Sequence, residues 1–260
     1  LAVRRETGDV LGTAITLNNL GILAYERGNY QKAEEMLSES LRIRLEIGDK
    51  PGIGICNDNL GNVEYNRGNY EKAEEYYNRS YEIAREASFD AGLAEALHNK
   101  AKNSLELQNL SEAEDFLNQS IEIAQKLNSG SLMASQLCLA GRISFTKGDH
   151  VSCRRQYEES VSMFVKTGNM KDLALTFVRM AELFCETGDA GLSAVLLGFI
   201  ETEFAELKEV IFPGTDQSAI ERTTAHAGQL LGQDQFDRLF DSGKSMKMSD
   251  VVKLVLPEMA

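Results

Sequence analysis

The chain has 260 residues, 43% of them hydrophobic and 26% charged, with a formal net charge of −13 and a sequence pI near 4.8. Such acidity argues against direct nucleic-acid binding, which needs a cationic surface to neutralise phosphates, and it favours a partner of basic or mixed character. No apolar run approaches a membrane span and no signal peptide precedes the first helical pattern, so a cytoplasmic setting is expected.

Residues 1–9, LAVRRETGD, align with residues 41–49, LRIRLEIGD. They read as the remnant of a preceding repeat helix, and the chain as a fragment of a longer polypeptide. From residue 10 a period of 40 governs the sequence. NLG recurs at 19–21 and 59–61, RGNY at 27–30 and 67–70, and KAEE at 32–35 and 72–75. Fixed periods of this size mark stacked supersecondary units. The small residue at Gly21 and Gly61 falls next on Ala101, Gly141 and Ala181, which gives five units over residues 10–208. Ala33 recurs as Ala73, Ala113, Cys153 and Ser193, and Ser40 as Ser80, Ser120 and Ser160. Sterics rather than chemistry is expected to keep this frame.

Each unit reads as two helices. In the first unit the earlier helix runs from about Val10 to Arg27, with Leu17, Leu20 and Ala24 on one face and Gly21 where two backbones are expected to approach closely. Gly28 and Asn29 stop it. The later helix carries Ala33, Leu37, Ser40 and Leu41, the stripe of an amphipathic helix facing a core. Units are expected to join at Gly8-Asp9, Gly48-Asp49, Asp90, Gly130 and Gly168-Asn169. Pro213-Gly214 breaks the pattern, and residues 209–260 read as a capping segment of three short helices near 216–231, 233–242 and 249–256, the last N-capped by Ser249 or Asp250.

By these residues the chain resembles the tetratricopeptide repeat (TPR) in its 40-residue form. The resemblance implies an all-α, right-handed α-solenoid of antiparallel helix pairs with a C-terminal helical cap. The tail, AVLLGFIETEFAEL at 194–207 and LLGQDQFDRLFDSGKSMKMSDVVKLVL at 230–256, resembles the tails of TPR sensor regions in bacterial STAND-type regulatory ATPases of the LuxR-like and AfsR-like kinds. The shared residues are Leu197-Gly198, Leu231-Gly232, Phe236, Gly243 and the final apolar helix; the chain lacks the Trp that often follows the Phe.

Little points to catalysis, a metal or a cofactor. Cys56, Cys138, Cys153 and Cys185 form no CxxC pair and read as reduced, partly buried thiols; His98, His150 and His226 fit no paired-ligand spacing. Glu34-Glu35 and Glu74-Glu75 recur with the repeat and read as solvated helix surface. Gly243-Lys244-Ser245 looks like the end of a P-loop, but Arg238 stands where the partner glycine belongs and no strand precedes it. A non-enzymatic protein is expected.

The groove expected from the resemblance is lined by the first helix of each unit. Its candidate binding residues are Asn19, Tyr25, Asp58, Asn59, Asn62, Tyr65, Asn66, His98, Asn99, Lys102, Arg142 and Arg179. The same register in the fifth unit adds Val178, Glu182, Cys185 and Glu186, and in the fourth Phe145, which also reads as core. Asparagine is a poor helix former, so Asn19, Asn59 and Asn99 at one register need a reason. Their amides suit the backbone of an extended peptide, as the Asn ladder of kinesin-light-chain-type repeats implies; equally, they suit hydrogen bonds between neighbouring helices that fix stacking. Lys102, Arg142 and Arg179 are placed to receive acidic groups. The leading expectation is a protein- or peptide-binding scaffold, the sensor or interaction arm of a larger bacterial signalling or transcription-regulatory protein. The alternative is a small-ligand or peptide-pheromone receptor domain that switches conformation on binding.

Overall fold

A computed structural model describes residues 8–205 and 215–256. The expected helix remnant at residues 1–7, the Pro213-Gly214 break and the repeat boundary at 208 lie outside the described residues. Those described form helices joined by short turns, and they gather into two compact units, one ending at Ser129 and one starting at Gly130. The first holds α1 (Val10–Glu26), α2 (Tyr30–Ile47), α3 (Lys50–Asn66), α4 (Tyr70–Glu86), α5 (Asp90–Glu106) and α6 (Leu110–Lys126). The second holds α7 (Gly130–Thr146), α8 (His150–Thr167), α9 (Met170–Glu186), α10 (Ala190–Glu203), α11 (Thr215–Leu231), α12 (Gln233–Lys244) and α13 (Met248–Val255). Consecutive helices pair antiparallel, α1 on α2, α3 on α4, α5 on α6 and α7 on α8, the arrangement of an α-solenoid.

One backbone device sets the helix lengths. At every twentieth residue from 8 to 188 the chain enters the left-handed region: Gly8, Gly28, Gly48, Gly68, Ser88, Gln108, Asn128, Gly148, Gly168 and Gly188 all have φ between 50° and 89°. Glycine meets this turn without a Cβ clash. The residue that follows stands at the N-cap of the next helix, and Asp9, Asn29, Asp49, Asp149, Asn169 and Asp189 each accept a backbone N–H three residues on. The unit junctions in the middle of the chain therefore lie at Ser88-Phe89 and Asn128-Ser129. Asp90 and Gly130, the expected joints, are instead the first residues of α5 and α7.

Two contacts recur within the pairs. The small residue at mid-helix admits a large side chain from the second helix rather than a second backbone: a Cβ on Gly21 would stand 2.7 Å from Leu37 Cγ, and one on Gly141 would stand 2.3 Å from a ring carbon of Tyr157. Leu37, Tyr77 and Tyr157 are almost wholly buried there, each a contribution of about 1.5–3 kcal/mol in apolar transfer. The recurrent serine is chemistry as well as size. Ser40, Ser120 and Ser160 are buried, and their hydroxyls donate to the carbonyls of Ala14, Ala94 and Ala134 at 2.7, 2.6 and 2.9 Å. Gly52 serves a third contact. A Cβ on it would meet the buried Arg44, whose Nη1 donates to Asp49 Oδ2 at 2.8 Å.

In the second unit the tail helices complete the core. Val251, Val255 and Leu256 join Phe177, Phe199 and Phe204 in one apolar cluster. α12 packs on α10 with backbones almost touching, since a Cβ on Gly198 would lie 1.9 Å from the Phe240 carbonyl oxygen and one on Gly243 2.0 Å from that of Val195. The Gly-Lys-Ser sequence at 243–245 thus closes α12 against α10. The last helix is N-capped by Lys247, without a side-chain bond, rather than by Ser249 or Asp250. Glu34, expected to be plain solvated surface, accepts from Arg67 Nη1 at 2.7 Å; Arg67 also donates to the buried Glu64 at 2.7 Å.

Replacing Gln108 (φ 63°) by Gly is expected to stabilise the protein by about 0.5–1 kcal/mol, by removing a left-handed Cβ penalty, visible as a raised Tm. Gly198→Ala is expected to cost about 3 kcal/mol or more, because only backbone faces the added methyl; chemical denaturation followed by circular dichroism measures it.

Candidate functional site

The expected groove residues of the first unit lie on α1, α3 and α5, and side chains tie these helices together. Asn59 Nδ2 donates to Asn18 Oδ1 at 3.0 Å, Asn66 Nδ2 to the Tyr25 hydroxyl at 2.6 Å, and the Tyr65 hydroxyl to Glu106 Oε1 at 2.6 Å. All three bonds span 41 residues, one more than the repeat. Asn66 also donates to the Asn62 carbonyl, and the buried Tyr77 hydroxyl donates to Asn62 Oδ1 at 3.0 Å. Tyr65 is buried, packs edge-on against Tyr70, and has Lys102 Nζ 4.1 Å above its ring. The result is a fixed row of polar and aromatic groups in which Tyr25, Asn59, Asn62, Asn66, His98 and Lys102 are each half-buried.

The three register asparagines differ. Asn19 is exposed, Asn59 is half-buried on Asn18, and Asn99 is buried beside Asp58. They therefore do not present three equal amides. Asn59 and Asn99 serve contacts between helices, while Asn59 Oδ1 accepts no bond among the described residues.

Asp58 is the electrostatic outlier. It is 6% exposed, and its carboxyl pKa is pushed up to about 8, first by burial and next by the charge of Glu95; side-chain hydrogen bonds with Asn99 and Ser80 and the charge of Lys102 act the other way. Glu95 is exposed in its own surface, yet hemmed in by protein, which raises its pKa as well. Sequence reasoning missed Glu95. The equivalent positions in the first two 40-residue repeats are Ile15 and Ile55, so the only available signal was a charge replacing an isoleucine.

In the second unit Arg142 is half-buried, and Arg179 Nη1 lies 3.5 Å from Glu182 Oε2. Phe145 is half-buried against the core. Val178 and Cys185 do not line a groove: both are buried, and α11 packs against α9. Cys185 clusters with Ala227 and Phe236, and His226 Nδ1 lies 3.7 Å from Glu186. An apolar α9, buried in nearly every turn, needs cover that the repeat register alone does not reveal.

Residues 1–46 and 55–126 match the family model of the tetratricopeptide repeat. The match spans most of the N-terminal half of the chain. Among solved structures, the chain resembles BtubC (BKLC) from P. vanneervenii, with a TM-score of 0.59 and 18% identity over 89% of this chain and 86% of that one. It also resembles a Rap protein solved in complex with Competence and Sporulation Factor, with a TM-score of 0.66 and 13% identity over 95% of this chain and 77% of that one. At such identities the likeness is one of fold. No curated protein matches the chain. No helix among the described residues is long and apolar enough to cross a membrane.

The raised Asp58 pKa has a stability consequence. Between about pH 4 and pH 8 the folded state holds a proton that the unfolded chain releases, so stability falls as pH rises through this window, by at most about 1.4 kcal/mol per pH unit. Asp58→Asn is expected to flatten the decline of Tm between pH 5 and pH 8.5, with its largest gain at the alkaline end. Thermal melts across that range check it.

Proposed function

We propose that the protein is a non-catalytic docking scaffold that takes a protein segment or peptide along the polar row of α1, α3 and α5. The observation that carries this reading is the preorganisation of that row: its half-buried side chains hold one another at 2.6–3.0 Å, so little side-chain freedom remains to be lost when a partner arrives. Asn19 and the Asn59 carbonyl oxygen offer polar contacts to an extended backbone, and Lys102, poised over Tyr65, offers a cation to an acidic residue. The Asn register contributes both to stacking and to binding, with Asn99 assigned to stacking alone. The Rap protein that shares the fold, solved in complex with Competence and Sporulation Factor, supports a role in which such a scaffold receives a partner molecule. The tail residues Leu197-Gly198, Phe236 and Gly243, which resemble STAND-type sensor regions, support placing the scaffold as the interaction arm of a larger regulatory protein.

Peptides selected from a random display library against the full chain test this reading. Asn19→Ala combined with Lys102→Ala is expected to weaken the selected peptides at least tenfold, a loss of about 1.4 kcal/mol, while shifting Tm by only a few degrees. Amide shift changes on peptide addition are expected to concentrate on α1, α3 and α5. Perturbations confined to α2, α4 and α6, with the double variant binding normally, would overturn it.

A further inference from the structure

The regular repeat is broken at several neighbouring positions of the first unit, and the breaks share one place. Pro51, Gly54, Ile55 and Asp58 of α3, Ser80, Ile83 and Ala84 of α4, and Phe89, Gly92 and Glu95 at and within the start of α5 line a small recess with a cavity of about 10 Å³, about the size of one water molecule. Asp58 stands where the first 40-residue repeat has Asn18. Glu95 stands where the first two repeats have Ile15 and Ile55. Ser80, whose counterparts Ser40, Ser120 and Ser160 bond a carbonyl of the first helix, is turned to the Asp58 carboxyl. Phe89 occupies an N-cap position that holds Asp, Asn or Ser at the equivalent turns, and it has no side-chain acceptor with which to cap α5. Its ring instead lies over Gly92, where a Cβ would meet it at 2.5 Å, and forms a wall of the recess.

The start of α5 thus presents an aromatic ring where a capping side chain could stand, and the recess accepts a buried carboxyl. Asp58 Oδ1 has no hydrogen-bond partner among the described residues although it is buried. An orphaned, buried acceptor in a recess that also presents a second carboxylate is unsatisfied by the protein itself. Its complement is small, carries positive charge, and donates in several directions.

We propose that this recess is a binding site for a primary ammonium group, the head of a lysine side chain or a free chain N-terminus, held between Asp58, Glu95 and the Ser80 hydroxyl. This rests on the docking reading above and adds to it a chemical preference. Size argues for ammonium over guanidinium: an ammonium head is close to a water molecule in volume and carries three donors, whereas a planar guanidinium needs a broader slot. Ile55, Ile83 and Phe89 supply an apolar collar for the methylene stem of a lysine. The negative charge of the chain favours approach of such a group. The charged and titratable groups that act on Asp58 are Glu95 and Lys102 from α5, with the Tyr77 phenol on α4. Because the empty site holds a proton on Asp58 up to about pH 8, capture of a cation displaces that proton, and affinity rises with pH below that point.

Titration of the full chain with n-butylammonium chloride, read by the side-chain carboxyl carbon resonances of Asp58 and Glu95, tests the site without any peptide. Its failure therefore leaves the docking reading to its own experiment. Saturable shifts are expected, at least tenfold tighter than with n-butylguanidinium, tightening by up to about tenfold per pH unit between pH 6 and pH 8. Asp58→Asn and Glu95→Gln, both near-isosteric, are each expected to abolish the preference, read on the remaining carboxyl, with unchanged helical circular dichroism. Acetyl-Gly-Gly-Lys-Gly-Gly-amide and unacetylated Gly-Gly-Gly-Gly-Gly-amide then separate a side-chain source from a terminal one, and binding by either supports the site. Shifts that never saturate, equal affinity for the guanidinium probe, or a preference that survives both variants would overturn the proposal and leave the recess a water site.

Discussion

A left-handed residue at every twentieth position is the constraint on which the rest of the structure depends. It ends one helix, and the residue after it caps the next, so from α1 to α9 helices of 17 or 18 residues follow one another at a fixed interval. Because the interval is fixed, Ser40, Ser120 and Ser160 each meet the equivalent carbonyl of the first helix, and Gly21, Gly61 and Gly141 each receive a large side chain from the second. One residue inserted in a helix ahead of these positions would turn both contacts away by about 100°. Three of the turns, at Ser88, Gln108 and Asn128, keep the geometry without glycine. The packing that follows them holds a backbone conformation that their own side chains disfavour.

The same regularity explains how a surface can be both rigid and polar. Side chains 41 residues apart bind one helix to the next, and in doing so they fix Tyr25, Asn59 and Asn66 in one arrangement. Buried polar networks hold a unique geometry when their members are satisfied and become costly when one is not. Glu64 illustrates the first case. Burial alone would raise its pKa, but hydrogen bonds from Asn69 and Lys72 and the charges of Lys72 and Arg67 outweigh that and lower it. Asp58 illustrates the second, with one oxygen left open and a proton retained into the neutral range. The contrast lies only a few residues apart on α3.

The C-terminal helices solve a different problem. α9 and α10 are too apolar to be left as the end of a stack, and α11, α12 and α13 close over them. This closure takes positions such as Val178 and Cys185 out of reach, so the second unit does not repeat the surface of the first.

The sequence by itself determined the helix pairs, the α-solenoid, and the three tail helices to within a few residues, since these follow from local periodicity, turn residues and close steric complementarity. From it Asn59, Asn66, Tyr25 and Tyr65 are expected to lie off the packed stripe of the first helices. The tertiary structure alone decided what each of them does, because equivalent positions in a repeat acquire different neighbours: Asn19 meets solvent, Asn59 meets Asn18, and Asn99 meets a buried acid. It alone joined Glu95 to Asp58 across two helices, 37 positions apart and off the repeat register, where no period of 40 brings them together. Periodicity encodes what the units share; the electrostatics of a site arises from what they do not.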